Sequence, residues 1–153
     1  MEHFYNIYNA SAGSGKTFNL VKEYLKILLT SDSIDSYKKI LSITFTNKAV
    51  NEMKSRIIES LNELTRIDKY QKNNALLELI KIETGLSNEQ IQLKSVSILK
   101  SILINYSSFE VSTIDKFTQR IIRSFAYEIK LPINFEVEIK SKDLLEEATA
   151  KLI

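Results

Sequence analysis

The stretch ASAGSGKTF fills residues 10–18 and holds two of the three glycines in the chain, Gly13 and Gly15. Ala10, Ser11, Ala12, Gly13, Ser14, Gly15, Lys16 and Thr17 fit the pattern G-x-x-x-x-G-K-[ST], with alanine in the first place. Phosphate chemistry needs residues of this kind at this spacing. Several backbone N–H groups must converge on phosphate oxygens, and glycine reaches the required conformations while letting the ligand come close. The Lys16 ammonium neutralises β- and γ-phosphates, and the Thr17 hydroxyl ligates Mg2+. A helix that begins directly after the turn adds its positive end. A ligand-free glycine-rich turn satisfies the same letters, so the surrounding elements have to decide.

Those elements follow from periodicity. FYNIYN at residues 4–9 alternates as a short strand, directly before the glycines. FNLVKEYLKILL continues with Leu20, Val21, Tyr24, Leu25 and Leu28 at helical spacing. A polar SDSIDS loop leads to KILSITF at 39–45, which reads as a buried parallel strand. TNKAVNEMKSRIIESLNEL then puts Val50, Met53, Ile57, Leu61 and Leu64 on one helical face, with Thr46 or Asn47 as N-cap. Two further helices occupy 67–106; Gly85 stops the first, and Ser87 with Gln90 forms a capping box for the second. FEVST at 109–113 reads as a strand, followed by a helix from about Asp115 to Ile129, the single Pro132, an alternating NFEVEI, and a last helix in SKDLLEEATAKLI. Strand, turn and helix therefore surround the lysine–threonine pair, which favours the phosphate site.

Composition narrows the class further. The chain has 153 residues, 44% hydrophobic and 26% charged, which suits one domain with a sizeable core. A net charge of +2 does not by itself argue for nucleic acid. With no cysteine, disulfides and thiolate metal sites are excluded. No apolar run reaches membrane-spanning length, the N-terminus is neither a signal nor a transit peptide, and the expected location is cytoplasmic. The one histidine, His3, reads as an exposed or strand-edge residue.

Three stretches together resemble a known family. ASAGSGKTF is similar to the phosphate loop of superfamily 1 helicases. ITFTNKAVNEMKSRI resembles their next motif, TFTNKAAxEMxxRI. STIDKFTQRIIRSFAYEIKLPINFEV resembles a later one, usually T-I-H-x-F, in the form found in the RecB/AddA branch. The resemblance to UvrD/RecB-type DNA helicases covers most of the chain outside 62–107 and implies the following. The fold class is α/β, an incomplete phosphate-loop NTPase (RecA-like) subdomain with a short parallel sheet. Residues 1–61 form its first part, 62–107 a helical insertion, and 108–153 its continuation. Ala10 to Thr17 bind ATP, with Lys16 and Thr17 in the catalytic machinery and Thr17 on Mg2+. Thr44, Phe45, Thr46, Asn47 and Thr113 face single-stranded DNA or DNA ends. The parent protein is an ATP-dependent helicase, with an exonuclease activity in its end-processing and repair role. Its partners are its own remaining domains and a second helicase–nuclease subunit.

Some residues pull the other way. Phe45 and Phe117 also fit core positions, and Lys48, Lys54 and Arg56 fit the solvated face of a helix. The histidine of the third motif is Asp115 here. A carboxylate repels DNA phosphate, so Asp115 reads as a helix cap. The Asp-Glu strand needed for ATP hydrolysis has no counterpart; the acidic pair Glu146–Glu147 falls in a helical pattern. The expectation is a piece of a larger protein that binds nucleotide without turnover. Two rivals remain: a nucleoside or metabolite kinase, and a non-catalytic protein that keeps the loop for stability.

Overall fold

A computed structural model describes residues 7, 15–67, 75–132, 145 and 148–151. Ala10 to Ser14, most of FYNIYN, all of NFEVEI and the Glu146–Glu147 pair lie outside the described residues. The chain divides into two compact units, residues 1–113 and 114–153.

In the first unit, helix α1 (Lys16–Thr30) is followed by a 3-10 turn (Ser36–Lys39), strand β1 (Ser42–Thr44), helix α2 (Asn47–Leu64), helix α3 (Ala75–Thr84), helix α4 (Asn88–Ile104), a second 3-10 turn (Tyr106–Ser108) and strand β2 (Val111–Thr113). β1 and β2 pair in parallel, with Ser42 opposite Val111, Ile43 opposite Ser112 and Thr44 opposite Thr113. Among the described residues the result is an α/β arrangement, mostly helical, around a short two-stranded sheet.

The helices form because each offers one apolar stripe to a shared core. α1 buries Val21, Tyr24, Leu25, Leu28 and Leu29. α2 buries Met53, Ile57, Leu61 and Leu64, with Val50 partly covered beside them. α3 adds Leu76, Leu77 and Ile80, and α4 adds Ile91, Ile98 and Ile102. One cluster joins these to Tyr37, Phe109 and Val111. Leu20, expected on the apolar face of α1, is 52% exposed; Leu29 takes the buried position instead. The helix ends follow local chemistry. The Ser87 hydroxyl accepts from the Gln90 amide, the Gln90 side chain accepts from the Ser87 amide, and Gly85 leaves α3 at φ 69°.

Both strands are shorter than the sequence predicts, for local reasons. Lys39 belongs to the 3-10 turn that buries Tyr37, and the Ile40 amide closes that turn on the Tyr37 carbonyl, so 39–41 stay out of β1. The Val111 amide bonds the Phe109 carbonyl, a tight bend that keeps Phe109 and Glu110 out of β2.

Two ties lock α1 to its neighbours. Lys94 of α4 donates to the carbonyls of Leu29 (2.7 Å) and Ser31 (3.1 Å), which caps the C-terminus of α1. Glu83 of α3 takes both Lys22 and Lys26 of α1, the latter at 2.9 Å.

The second unit contains helix α5 (Ile114–Ser124). Asp115 is not the cap but lies in the first turn, where a carboxylate meets the positive helix end. The regular helix stops at Ser124 rather than near Ile129. There the ladder loosens: the Phe125 amide is shared between the Ile121 and Ile122 carbonyls, and Ala126 bonds back only three residues, to Arg123. A last turn closes as a Schellman motif, with Lys130 at φ 58°, Lys130 N–H on the Tyr127 carbonyl and Leu131 N–H on the Ala126 carbonyl. Pro132 follows, where the chain can no longer be helical.

Candidate functional site

Gly15 is the N-cap of α1 and sits in the left-handed region, at φ 78° and ψ 18°. Its carbonyl takes the first helical bond, from the Asn19 amide at 3.0 Å. Among the described residues, nothing lies within 4 Å of the place where a Cβ would stand, and the positive φ by itself calls for glycine. The first turn of α1 carries no carboxylate. Lys16 is its first residue and is exposed; Thr17, next in line, is half-buried. The described part of the site is thus a helix start with a positive end, a lysine and a hydroxyl. This donor set fits a phosphate with its Mg2+: Lys16 supplies a cation, Thr17 a neutral oxygen, and Gly15 a backbone that carries no side chain.

The second group of candidates lies on the β1–α2 junction. Thr46 has extended backbone, φ −130° and ψ 150°, and its hydroxyl accepts from the Ala49 amide at 3.1 Å. Of the two N-caps expected, Thr46 is the one used. The Val50 amide bonds the Thr46 carbonyl at 3.1 Å, and the Thr44 hydroxyl donates to the same carbonyl at 3.2 Å. The junction is therefore a short, hydrogen-bonded turn rather than a loose loop. Phe45 stands on it 86% exposed, which overturns its reading as a core residue. Asn47 and Lys48 are exposed beside it, and α2 also opens without a carboxylate in its first turn. Phe117 on α5 is half-buried, with the Arg120 guanidinium 5.7 Å from its ring centre.

The sheet brings Thr44 and Thr113 together as partners at the carboxyl ends of the two strands. Thr113 is buried at 5%, so the accessible side chains at this end of β1 are Phe45, Thr46 and Asn47. Open α/β sheets bind ligands at such strand ends. Among the described residues, no group of three histidines, cysteines or carboxylates could hold a metal ion, and no helix is long and apolar enough to cross a membrane.

One contact escapes sequence reasoning. Lys54, read as part of a solvated face, is half-buried, its Nζ 4.8 Å from the Tyr106 ring centre and 5.3 Å from that of Phe109. Lys48 and Arg56 do lie exposed, Arg56 paired with Glu52 at 3.0 Å.

A mostly helical α/β chain with a glycine-led helix and a polar turn at the strand ends is the class defined so far. Residues 5–153 match the model of the UvrD/REP helicase N-terminal domain, and the chain belongs to that family. The family expected from the three motifs is thereby borne out. The chain is 33% identical over 145 residues to the ATP-dependent helicase/nuclease (its A component) of Lactobacillus johnsonii, which covers 95% of this chain and 9% of that protein. It is 32% identical over 146 residues to the protein of the same name in Clostridium kluyveri, covering 94% and 10%. The RecBCD enzyme subunit RecB of Haemophilus influenzae is 28% identical over 149 residues, covering 92% and 12%. The chain thus spans about a tenth of the length of these relatives.

Proposed function

We propose that this chain is the ATP-binding part of an ATP-dependent DNA helicase, acting in a helicase–nuclease that processes DNA ends for repair in the cytoplasm. One observation carries the reading. In a chain of this family, Gly15 turns through left-handed backbone straight into α1, so that Lys16 and Thr17 open the helix. In this reading Ala10 to Thr17 form the phosphate loop of a RecA-like subdomain. Lys16 offsets phosphate charge, and the Thr17 hydroxyl holds Mg2+, which when bound shields the phosphates during hydrolysis. Residues 1–61 and 108–153 belong to that subdomain, and 62–107 form its helical insertion.

The Thr44–Asn47 turn is the DNA-facing part; Thr113, expected beside it, is buried at 5% and supports Thr44 from within the sheet instead of meeting the strand. Exposed Phe45 offers a ring on which a base stacks, and Thr46 and Asn47 offer polar contacts to the strand. The relatives are named as components of a helicase/nuclease and of the RecBCD enzyme, which supports partnership with further domains and with a second subunit.

Calorimetric titration of the chain with Mg-ATP tests the reading. Wild type is expected to bind, and Lys16→Ala to bind at least about ten-fold more weakly, since it deletes the cation aimed at the phosphates. Equal affinities for the two proteins would show that Gly15–Thr17 is not the nucleotide site.

A further inference from the structure

The turn that carries Phe45 is held from three directions, and one of them reaches far along the chain. Its own cap is Thr46 on Ala49. One helical turn further on, the Ser42 hydroxyl of β1 donates to the Met53 sulfur at 3.2 Å. Beside Met53, the Lys54 ammonium lies over two rings at once, Tyr106 and Phe109, which pack edge to face with centres 6.0 Å apart.

Phe109 is 1% exposed and also meets Tyr24 and Tyr37 edge to face, so it is an immovable part of the core. Tyr106 opens the 3-10 turn by which the chain returns from α4 toward β2, and its carbonyl accepts the Phe109 amide at 3.1 Å. Lys54, two turns into α2, thus ties the N-terminal half of that helix to Tyr106 at the end of the 62–107 excursion and to Phe109 just beyond it. A cation over aromatic faces in a half-buried setting is directional, and it fixes the roll of the helix that bears it.

We infer that Lys54 is a positioning residue for the Phe45–Asn47 turn, acting through the rings of Tyr106 and Phe109. It sets the aim of the N-terminal half of α2 by holding its charge against the two rings. That the turn then meets DNA rests on the function proposed above; the positioning itself does not.

Amide hydrogen exchange on the chain separates the two. The reporters are Ala49 and Val50, whose amides are held by Thr46, against Leu28 in the last turn of α1 and Ile98 in the middle of α4. Lys54→Met keeps the stem and removes the charge. It is expected to speed exchange at Ala49 and Val50 about three- to ten-fold while Leu28 and Ile98 stay unchanged. Lys54→Arg restores the wild-type pattern, and Tyr106→Leu reproduces the Lys54→Met pattern. Exchange that rises evenly at all four amides, or at none, would overturn the inference. So would a Tyr106→Leu protein that exchanges like wild type.

Fluorescence anisotropy with a labelled single-stranded oligonucleotide is the second arm. Lys54→Met and Tyr106→Leu are expected to weaken binding by similar factors, with the double variant no weaker than either alone. Loss of binding in Lys54→Met but not in Tyr106→Leu would make Lys54 a direct phosphate contact and overturn the positioning role. Should neither wild type nor Phe45→Ala bind while the exchange pattern holds, the DNA reading of the turn fails and the positioning stands.

Discussion

Thr44 and Thr113 are partners across the parallel strand pair, and each is the last residue of its strand. The two following segments therefore leave the sheet at the same end. One of them is pinned at once, because the Thr44 hydroxyl and the Val50 amide both bond the Thr46 carbonyl, while the Thr46 hydroxyl takes the Ala49 amide. Such a turn presents its outward side chains in a fixed direction, which costs a ligand little ordering entropy.

Thr46→Ala removes the cap and leaves the Ala49 amide to water. The expected loss of stability is about 1 kcal/mol, with Thr46→Ser close to wild type. Urea unfolding followed by circular dichroism measures both. A Thr46→Ala midpoint equal to that of wild type would mean that the cap contributes nothing.

Phe45→Ala should behave in the opposite way. With the ring 86% exposed, its removal opens no cavity, and the change in stability is expected to stay within about 0.5 kcal/mol. Binding of a single-stranded oligonucleotide is expected to fall at least about five-fold, the lower range of a lost base stack. Anisotropy at two salt concentrations reads this out, and the salt slope should be the same for both proteins because no phosphate contact is removed. A Phe45→Ala protein that melts far below wild type would return Phe45 to the core.

Much of this arrangement is legible in the sequence because it is local. Met53, Ile57, Leu61 and Leu64 recur at helical spacing and are buried; Ser87 with Gln90, and Gly85, mark helix ends by chemistry that spans a few residues. The failures are of a different kind. β-branched residues at 39–45 satisfy strand propensity, yet a strand extends only as far as its partner does, and the bend at Phe109–Val111 cuts the partner short. Phe45 reads as core by type and spacing, while its exposure depends on a turn whose geometry is set by Thr44 and Thr46. Lys54 meets rings more than fifty positions away, and no periodicity in α2 announces them.

The ties between α1 and α3 give the chain a pH signature. Hydrogen bonds from Lys22 and then Lys26 hold the Glu83 carboxyl below its usual range, and the same carboxylate holds both lysines above theirs. A depressed carboxyl stabilises the fold above its unfolded pKa, about 4.3, and the gain is lost as pH falls through the lower folded value. For the lysines the sign is reversed: their gain is present below about 10.4 and lost as pH rises through the higher folded value. Glu83→Gln should therefore melt below wild type at neutral pH and converge with it in acid. Melting curves from neutrality into acid check this, and a gap that persists undiminished would assign the effect to packing instead of charge.

Gly15 separates two demands that fall on one residue. Its φ of 78° strains any residue with a Cβ, while no described residue comes within 4 Å of that position. Gly15→Ala should therefore lose stability by strain alone, about 1–2 kcal/mol, and Gly15→Asn less, because asparagine enters left-handed backbone more readily. In the function proposed above, phosphate binding makes the second demand, since a ligand that approaches the backbone needs the room a side chain takes. Both substitutions are then expected to weaken Mg-ATP binding by about ten-fold or more, including the one that folds almost as well as wild type. Calorimetry and thermal melting on the same three proteins give the two readouts. Undiminished affinity in Gly15→Asn would mean that the glycine serves the turn into α1 only, and that the phosphates pass elsewhere.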